Sequence, residues 1–313
     1  MAIDGQTFGT IAYHIKYKDK DQRNFKHAVD SLLDNFNGVL SHYDPTSDLS
    51  RYNNDSVFVF DSGLFLPVLK KSKEIYELSN GAFNPAVMPL VNAWGFGPEK
   101  SIALDSAVVD SLLNIVDFEA VEFNDEQVWK KDARLQLDFS AIAKGYAVDQ
   151  VADYLKQQGI SDFFVEIGGE VVAAGTNTQD KPWRIGIIDP ASDLLNQSFY
   201  ATVDLSNKAL ATSANYFNYV IKDGIRYSHT LDPNTGYPAV HAILSASVFA
   251  EDCMTADALA TAFMAAGVKE AQRMLAARSD IDALLIYSDD GGQVISYATP
   301  GIEDQINYLE TPN

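Results

Sequence analysis

The chain has 313 residues, 47% of them hydrophobic and 11% aromatic, and a formal net charge of −20. That much apolar material over that length supports a substantial core and excludes a disordered chain. The charge excludes nucleic acid as a partner, and any bound phosphate needs a local positive field or a metal. A single cysteine, Cys253, rules out an internal disulfide and any Cys-rich zinc or iron–sulfur site. The opening MAIDGQTFGT has neither a basic n-region nor an apolar h-region, so no signal peptide is visible. No run reaches the length of a membrane span.

In chain order, residues 9–17 alternate in the manner of a first strand. Residues 21–40 carry Phe25, Val29, Leu32, Leu33, Phe36 and Val39 at helical spacing. They run into a turn-rich loop, residues 41–53, punctuated by Pro45. A second helix is predicted over 67–79, closed by Asn80-Gly81. Residues 82–98 are apolar but broken by Pro85 and Pro89, a pattern that suits a rigid loop wall better than a regular element. Residues 105–115 read as a helix, and three short strands are expected between 118 and 137.

Residues 137–155, LDFSAIAKGYAVDQVADYL, change period part-way along. Leu135, Leu137 and Phe139 alternate as a strand does, while Ile142, Tyr146, Val151, Tyr154 and Leu155 mark one helical face. Ser140 is the expected N-cap, and Gly159 suits the end. Asp138 then sits just ahead of a helix whose opening turns hold Lys144, and free N–H groups there attract anions. Taken alone, the stretch is equally a capped amphipathic helix with a solvated lysine. Strands are predicted over 163–167, 171–174, 183–188, 200–205, 209–213, 244–250, 283–287 and 293–297. Helices are predicted over 254–266 and 269–277. Hairpin-like runs of strands without intervening helices favour an α+β fold, with mixed, largely antiparallel sheets packed against helices.

P-loop, dinucleotide-fingerprint, zincin and nucleophile-elbow patterns are absent. Two other stretches could carry chemistry. Asp257 and Thr261 are four apart on a predicted helix and so share a face, among small apolar neighbours. A carboxylate and a hydroxyl facing one way suit a hard cation such as Mg²⁺. The plainer reading is an Asp and a Thr hydrogen-bonded to nearby backbone. The stretch 227–236 delivers Ser228, His229 and Thr230 at a strand end before a Pro/Asn/Gly turn. His229 is a candidate general base, since imidazole titrates near neutrality.

These stretches together resemble one family, the FAD:protein FMN transferases or ApbE-like flavin transferases, along nearly the whole chain. Phe8-Gly9-Thr10 is similar to the family's M-G-T opening strand, with Phe for Met. Residues 41–53 are similar to S-x-Y-D-P-x-S-x-L-S-R-F-N. Residues 81–98 follow G-A-F-D-P-x-V-x-P-L-V-N-x-W-G-F-G-P, with Asn84 where Asp is usual. Residues 137–149 follow L-D-x-G-x-I-A-K-G-Y-A-V-D, with Ser140 at a usual Gly. Residues 165–169, 211–213, 227–236 and 253–261 complete the ordered series.

The resemblance implies a single catalytic unit over residues 1–313, one domain or two closely packed lobes with the FAD site between them. It assigns FAD contacts to Phe8, Tyr43, Ala82, Phe83, Asn84, Asp138, Lys144 and Thr230. It assigns Mg²⁺ to Asp257, Thr261 and the carbonyl of Ala141, and catalysis to His229, Lys144 and Asp257. The implied reaction joins FMN from FAD to a threonine hydroxyl of a partner carrying a D-x-x-(S/T)-(G/S)-A-T site, such as a membrane redox-pump subunit, and releases AMP. The implied setting is the periplasmic side of a bacterial inner membrane, with a lipid anchor on the precursor. Rival readings are a Mg²⁺-dependent FAD pyrophosphatase and a non-catalytic flavin-binding carrier. Residues 4–10 faintly resemble the acceptor pattern, but Phe8 and Gly9 fit it poorly, so self-modification is not expected.

Overall fold

The structure is a computed structural model. It describes every residue except 100, 193–196, 216–218, 223–224, 229, 240–241, 290 and 310–313, and the backbone alone of 219–222 and 225–228. Its frame is an eight-stranded sheet, antiparallel at every pairing, in the order Ala2–Thr7, Ile11–Tyr17, Phe163–Ile167, Glu170–Ala174, Lys208–Ala214, Ile243–Ala250, Asp282–Ser288 and Val294–Ala298. The α+β expectation holds.

Both faces of this sheet are covered, and the period of two decides which residue goes where. Val172, Ala209, Ala211, Val248, Ala283 and Leu285 join the core that packs the helices Lys26–Leu40, Phe65–Leu78, Ala143–Gln157 and Cys253–Ala266. Their neighbours Val171, Leu210, Phe249, Leu284 and Ile286 point the other way. There they meet Trp183, Ile187, Ala201, Val203, Leu205 and Ile306 of a three-stranded sheet, Ile306–Tyr308, Phe199–Leu205 and Trp183–Ile188.

The helix Cys253–Ala266 is buried almost all round, as suits an Ala-rich sequence whose few polar residues include Asp257 and Thr261. Asp252 accepts from Thr255 N–H, and Asp149 accepts from both Cys253 and Met254 N–H at 2.8 Å, so its first turn is capped twice. Among the described residues no helix is long and apolar enough to cross a membrane.

Several boundaries differ from those predicted. Residues 8–10 are not part of a strand but the turn between Ala2–Thr7 and Ile11–Tyr17, with Phe8 and Gly9 both at positive φ. The first helix starts only at Lys26. A short helix, Asp48–Asn54, is capped by Ser47 inside the predicted loop. The proline-broken wall after Gly81 is a single 3-10 turn, Pro85–Val87, running into the helix Met88–Trp94, because Pro85 and Pro89 both fall in first turns, where no N–H is needed. Two strands, not three, lie between 118 and 137: Val121–Phe123 and Gln127–Lys130.

Residues 135–139 form no strand and pair with none. The Asn53 amide stands in for one, accepting from Leu137 N–H at 2.7 Å and donating to Leu137 O at 2.8 Å. Lys130 Nζ donates to Asn53 O and Leu135 O and holds that surrogate in place. Burial lowers the Lys130 pKa to about 8.

Candidate functional site

The site is assembled where residues 135–139 give way to the helix Ala143–Gln157. Asp138 N–H donates to Pro85 O at 2.7 Å, tying this corner to the segment that starts at Ala82. Ser140 does not cap the helix: its N–H donates to Asp138 Oδ1 at 2.8 Å, closing an Asx turn, and the helix begins three residues later with no side-chain cap. His42 Nδ1 lies 3.3 Å from the same Asp138 oxygen, both side chains buried. Burial alone would raise the Asp138 pKa, but His42 and Ser140 outweigh it and hold it below the usual carboxylate range.

The Ala143–Gln157 helix crosses Cys253–Ala266 at very short range. An added Cβ on Gly145 would overlap the Cys253 carbonyl oxygen and stand 2.8 Å from Asp257 Cβ, so glycine is required there. The approach lets Gly145 N–H donate to Asp257 Oδ2 at 2.9 Å. The N–H expected to attract an external anion is therefore taken by a carboxylate of the protein. Lys144 Nζ stands 3.9 Å from Asp257 Oδ1 and 2.6 Å from Glu170 Oε1. Burial disfavours the Lys144 charge, but Asp257 and Glu170 more than restore it, and its pKa is raised. Burial raises the Glu170 pKa against the pull of Lys144. Thr261, one turn beyond Asp257, shares a hydrogen bond with Ser213 across 3.1 Å.

A cleft of about 570 Å³ brings most of the sequence-predicted residues together: Ala82, Phe83, Asn84, Asp138, Ala141, Lys144, Thr230, Asp257 and Thr261 all line it. Phe83 lies at its edge as part of the core, only 3% exposed. Asn84 Oδ1 is already engaged, accepting from Ala86 N–H at the start of the 3-10 turn. Phe8 and Tyr43 are absent from this cleft and line a second cavity of about 740 Å³, where Phe8 packs on Phe36 and Tyr43 on His42. Ser140 and Lys144 border both cavities, so the two adjoin. His229 lies outside the described residues.

Two participants escaped sequence reasoning. Glu170 follows Gly168-Gly169, which turn at φ 60° and 102°, and that glycine pair is the one local sign that the chain doubles back just before it. His42 falls at an unspecified position of the pattern over residues 41–53, and its place beside Asp138 depends on a contact across 96 residues that no local pattern carries.

Comparison with known proteins finds relatives along nearly the whole chain. The profile of the ApbE family matches residues 8–285. The FAD:protein FMN transferase of Vibrio cholerae is 39% identical over 300 residues, covering 93% of this chain and 88% of that one. The Haemophilus influenzae protein of the same name is 33% identical, covering 94% and 88%. Among solved structures, the flavin transferase ApbE from Vibrio cholerae superposes with a TM-score of 0.88 at 34% identity over 99% of each chain. The apo flavinyl transferase ApbE of Pseudomonas stutzeri gives 0.85 at 30% identity over 97% and 96%.

Proposed function

Because this chain belongs to the ApbE family, we propose that it transfers FMN from FAD to a threonine hydroxyl of a partner protein, with Mg²⁺ as helper ion and AMP as leaving group. The observation that carries this reading is the convergence of Lys144, Asp257, Thr261 and the Asp138 turn on one cleft that adjoins an aromatic-lined cavity. A dinucleotide has the matching division: charged phosphates in the middle and flat rings at its ends.

The residues fit a hard cation. Asp257, Thr261 and the Ala141 carbonyl offer oxygen donors only. Among the described residues no three His, Cys, Asp or Glu side chains form a cage, so a cation held here takes its remaining oxygens from phosphate and water. Asp257 and Glu170 together face a single ammonium, and Glu170 Oε2 is buried without a hydrogen-bond partner, which leaves this corner short of positive charge. When bound, Mg²⁺ supplies neutralisation of phosphate charge.

The protein groups divide the rest of the work. Lys144 faces the pyrophosphate and stabilises the charge growing on the departing AMP oxygen. Asp138 and Thr230 position the dinucleotide, Phe8, Tyr43 and Phe83 wall its rings, and Ala82 and Asn84 shape the cleft edge. The threonine oxygen forms a bond to the FMN phosphorus, the bond from that phosphorus to the bridging oxygen breaks, and AMP leaves with that oxygen. The hydroxyl proton goes to a base, the role that the family resemblance gives to His229. That resemblance also supplies the setting: a lipid-anchored enzyme on the periplasmic side, acting on membrane redox-pump subunits that carry the D-x-x-(S/T)-(G/S)-A-T site.

The test is incubation with FAD, Mg²⁺ and a peptide bearing that pattern, read by mass spectrometry. Covalent FMN on the peptide with one AMP released is the expected result. Free FMN and AMP beside an unmodified peptide would instead make it a pyrophosphatase, and unchanged FAD a carrier.

A further inference from the structure

We propose that Glu170 is a positioning residue that tethers Lys144 and so keeps Asp257 open to a cation. This deepens the functional reading above and rests on its assignment of Asp257 as a metal ligand.

The argument is geometric. Asp257 has two oxygens, and Oδ2 is committed to Gly145 N–H at 2.9 Å. Oδ1 remains, with the Lys144 ammonium 3.9 Å away. Nothing in the lysine chain prevents that ammonium from closing the gap, since four methylenes give it the reach. Glu170 Oε1 holds it back with a 2.6 Å contact. Glu170 is itself fixed by the strand Glu170–Ala174 and by the tight glycine turn before it, where an added Cβ on Gly168 would strike Ile11 and approach Lys144 Cδ. Its second oxygen, Oε2, is buried without a partner. Such an atom is costly to keep, and native structures retain few of them. Without this tether, the nearest anion to Lys144 is the oxygen the cation needs, and attraction between buried opposite charges is strong at short range.

Mn²⁺, a hard ion with a paramagnetic signal, is the probe. Binding to the protein alone, without FAD, is read from the loss of free-ion resonance, beside thermal melts of each variant. Glu170→Ala should weaken Mn²⁺ by about tenfold, within the coupling range of contacting groups. Glu170→Gln keeps an oxygen that accepts from Lys144 and nearly the same volume, so it should stay within about threefold of wild type. Lys144→Met added to Glu170→Ala removes the intruding ammonium and should recover most of the loss.

Equal weakening by Glu170→Gln and Glu170→Ala would show that charge alone is at work and overturn the proposal. So would unchanged binding in Glu170→Ala, failure of the double variant to recover, or no Mn²⁺ binding by wild type. Peptide modification by wild type, measured in parallel, tests the functional reading on its own, so the two can fail separately.

Discussion

Replacing Gly145 with alanine puts the helix crossing at the centre of the site under direct test. The new Cβ would overlap the Cys253 carbonyl oxygen and lie 2.6 Å from its carbon and 2.8 Å from Asp257 Cβ. Two of these obstacles are backbone, so the helices Ala143–Gln157 and Cys253–Ala266 must part. Overpacking of this kind costs about 1–3 kcal/mol. Losing the charge-assisted bond from Gly145 N–H to Asp257 costs about 1.5–3 kcal/mol more. The better helix propensity of alanine returns about 1 kcal/mol, leaving a net loss of roughly 2–5 kcal/mol. An unfolding entropy of about 2.1 cal/mol/K per residue over 313 residues makes each kcal/mol worth roughly 1.5 °C. Scanning calorimetry should therefore find Tm lowered by roughly 3–8 °C. Gly38→Ala is the control, because Gly38 lies in the helix Lys26–Leu40 with nothing within 4 Å of an added Cβ. It should hold or raise Tm by reducing unfolded-state entropy. A Gly145→Ala protein that melts at or above wild type would refute the close-crossing argument.

Asp257→Asn keeps shape and still accepts from Gly145 N–H, so Tm should change little while Mg²⁺-dependent turnover falls by about 10²-fold or more, measured as AMP release. Tyr43→Ala removes an exposed ring from the second cavity and should weaken FAD by about 2–12-fold, the worth of one aromatic contact, read by flavin fluorescence. For Asp149, burial outweighs two backbone donors and lifts its pKa to about 7. A carboxyl whose folded pKa lies above its unfolded value makes the native state the better proton binder between the two. Its contribution therefore declines as pH rises from about 4 to about 7. Asp149→Asn should lose that slope, so the Tm difference between wild type and variant should shift in the variant's favour from pH 5 to pH 8; a constant difference would contradict it.

Much of the fold was legible because the strands are two-sided. Residues 163–167 and 183–188 form the strands Phe163–Ile167 and Trp183–Ile188 as predicted, and helix 254–266 is one residue short at its start. Alternation and helical spacing are local, and there the local signal and the packing agree. Failures fell where a distant group replaces a local rule. Residues 135–139 read as a strand because their side chains alternate, yet their partner is the side chain of Asn53, which no periodicity reveals. Ser140 has the residue type of a cap but spends its N–H on Asp138. The Ala2–Thr7 strand was missed because its inward positions are Ile3, Gly5 and Thr7, so only Ile3 marks an apolar side, while a glycine is needed where Tyr13 lies across it. Asp257, Thr261 and Lys144 were recoverable as candidates from spacing and resemblance. Glu170, brought to Lys144 by a glycine turn 26 residues on, was not.

The pairing of Ile11–Tyr17 with Phe163–Ile167 has a consequence for how the molecule comes into being. Tyr13 lies opposite Ile167, so one ladder must close a loop of some 150 residues before its hydrogen bonds repay the lost chain freedom. Lys144 and Glu170 belong to opposite sides of that closure, and Asp257 arrives later still as the chain is synthesised. A half-made chain thus lacks the assembled cluster of Lys144, Glu170 and Asp257. The cleft exists only in the finished molecule, and any ligand that binds it then favours the native state by mass action.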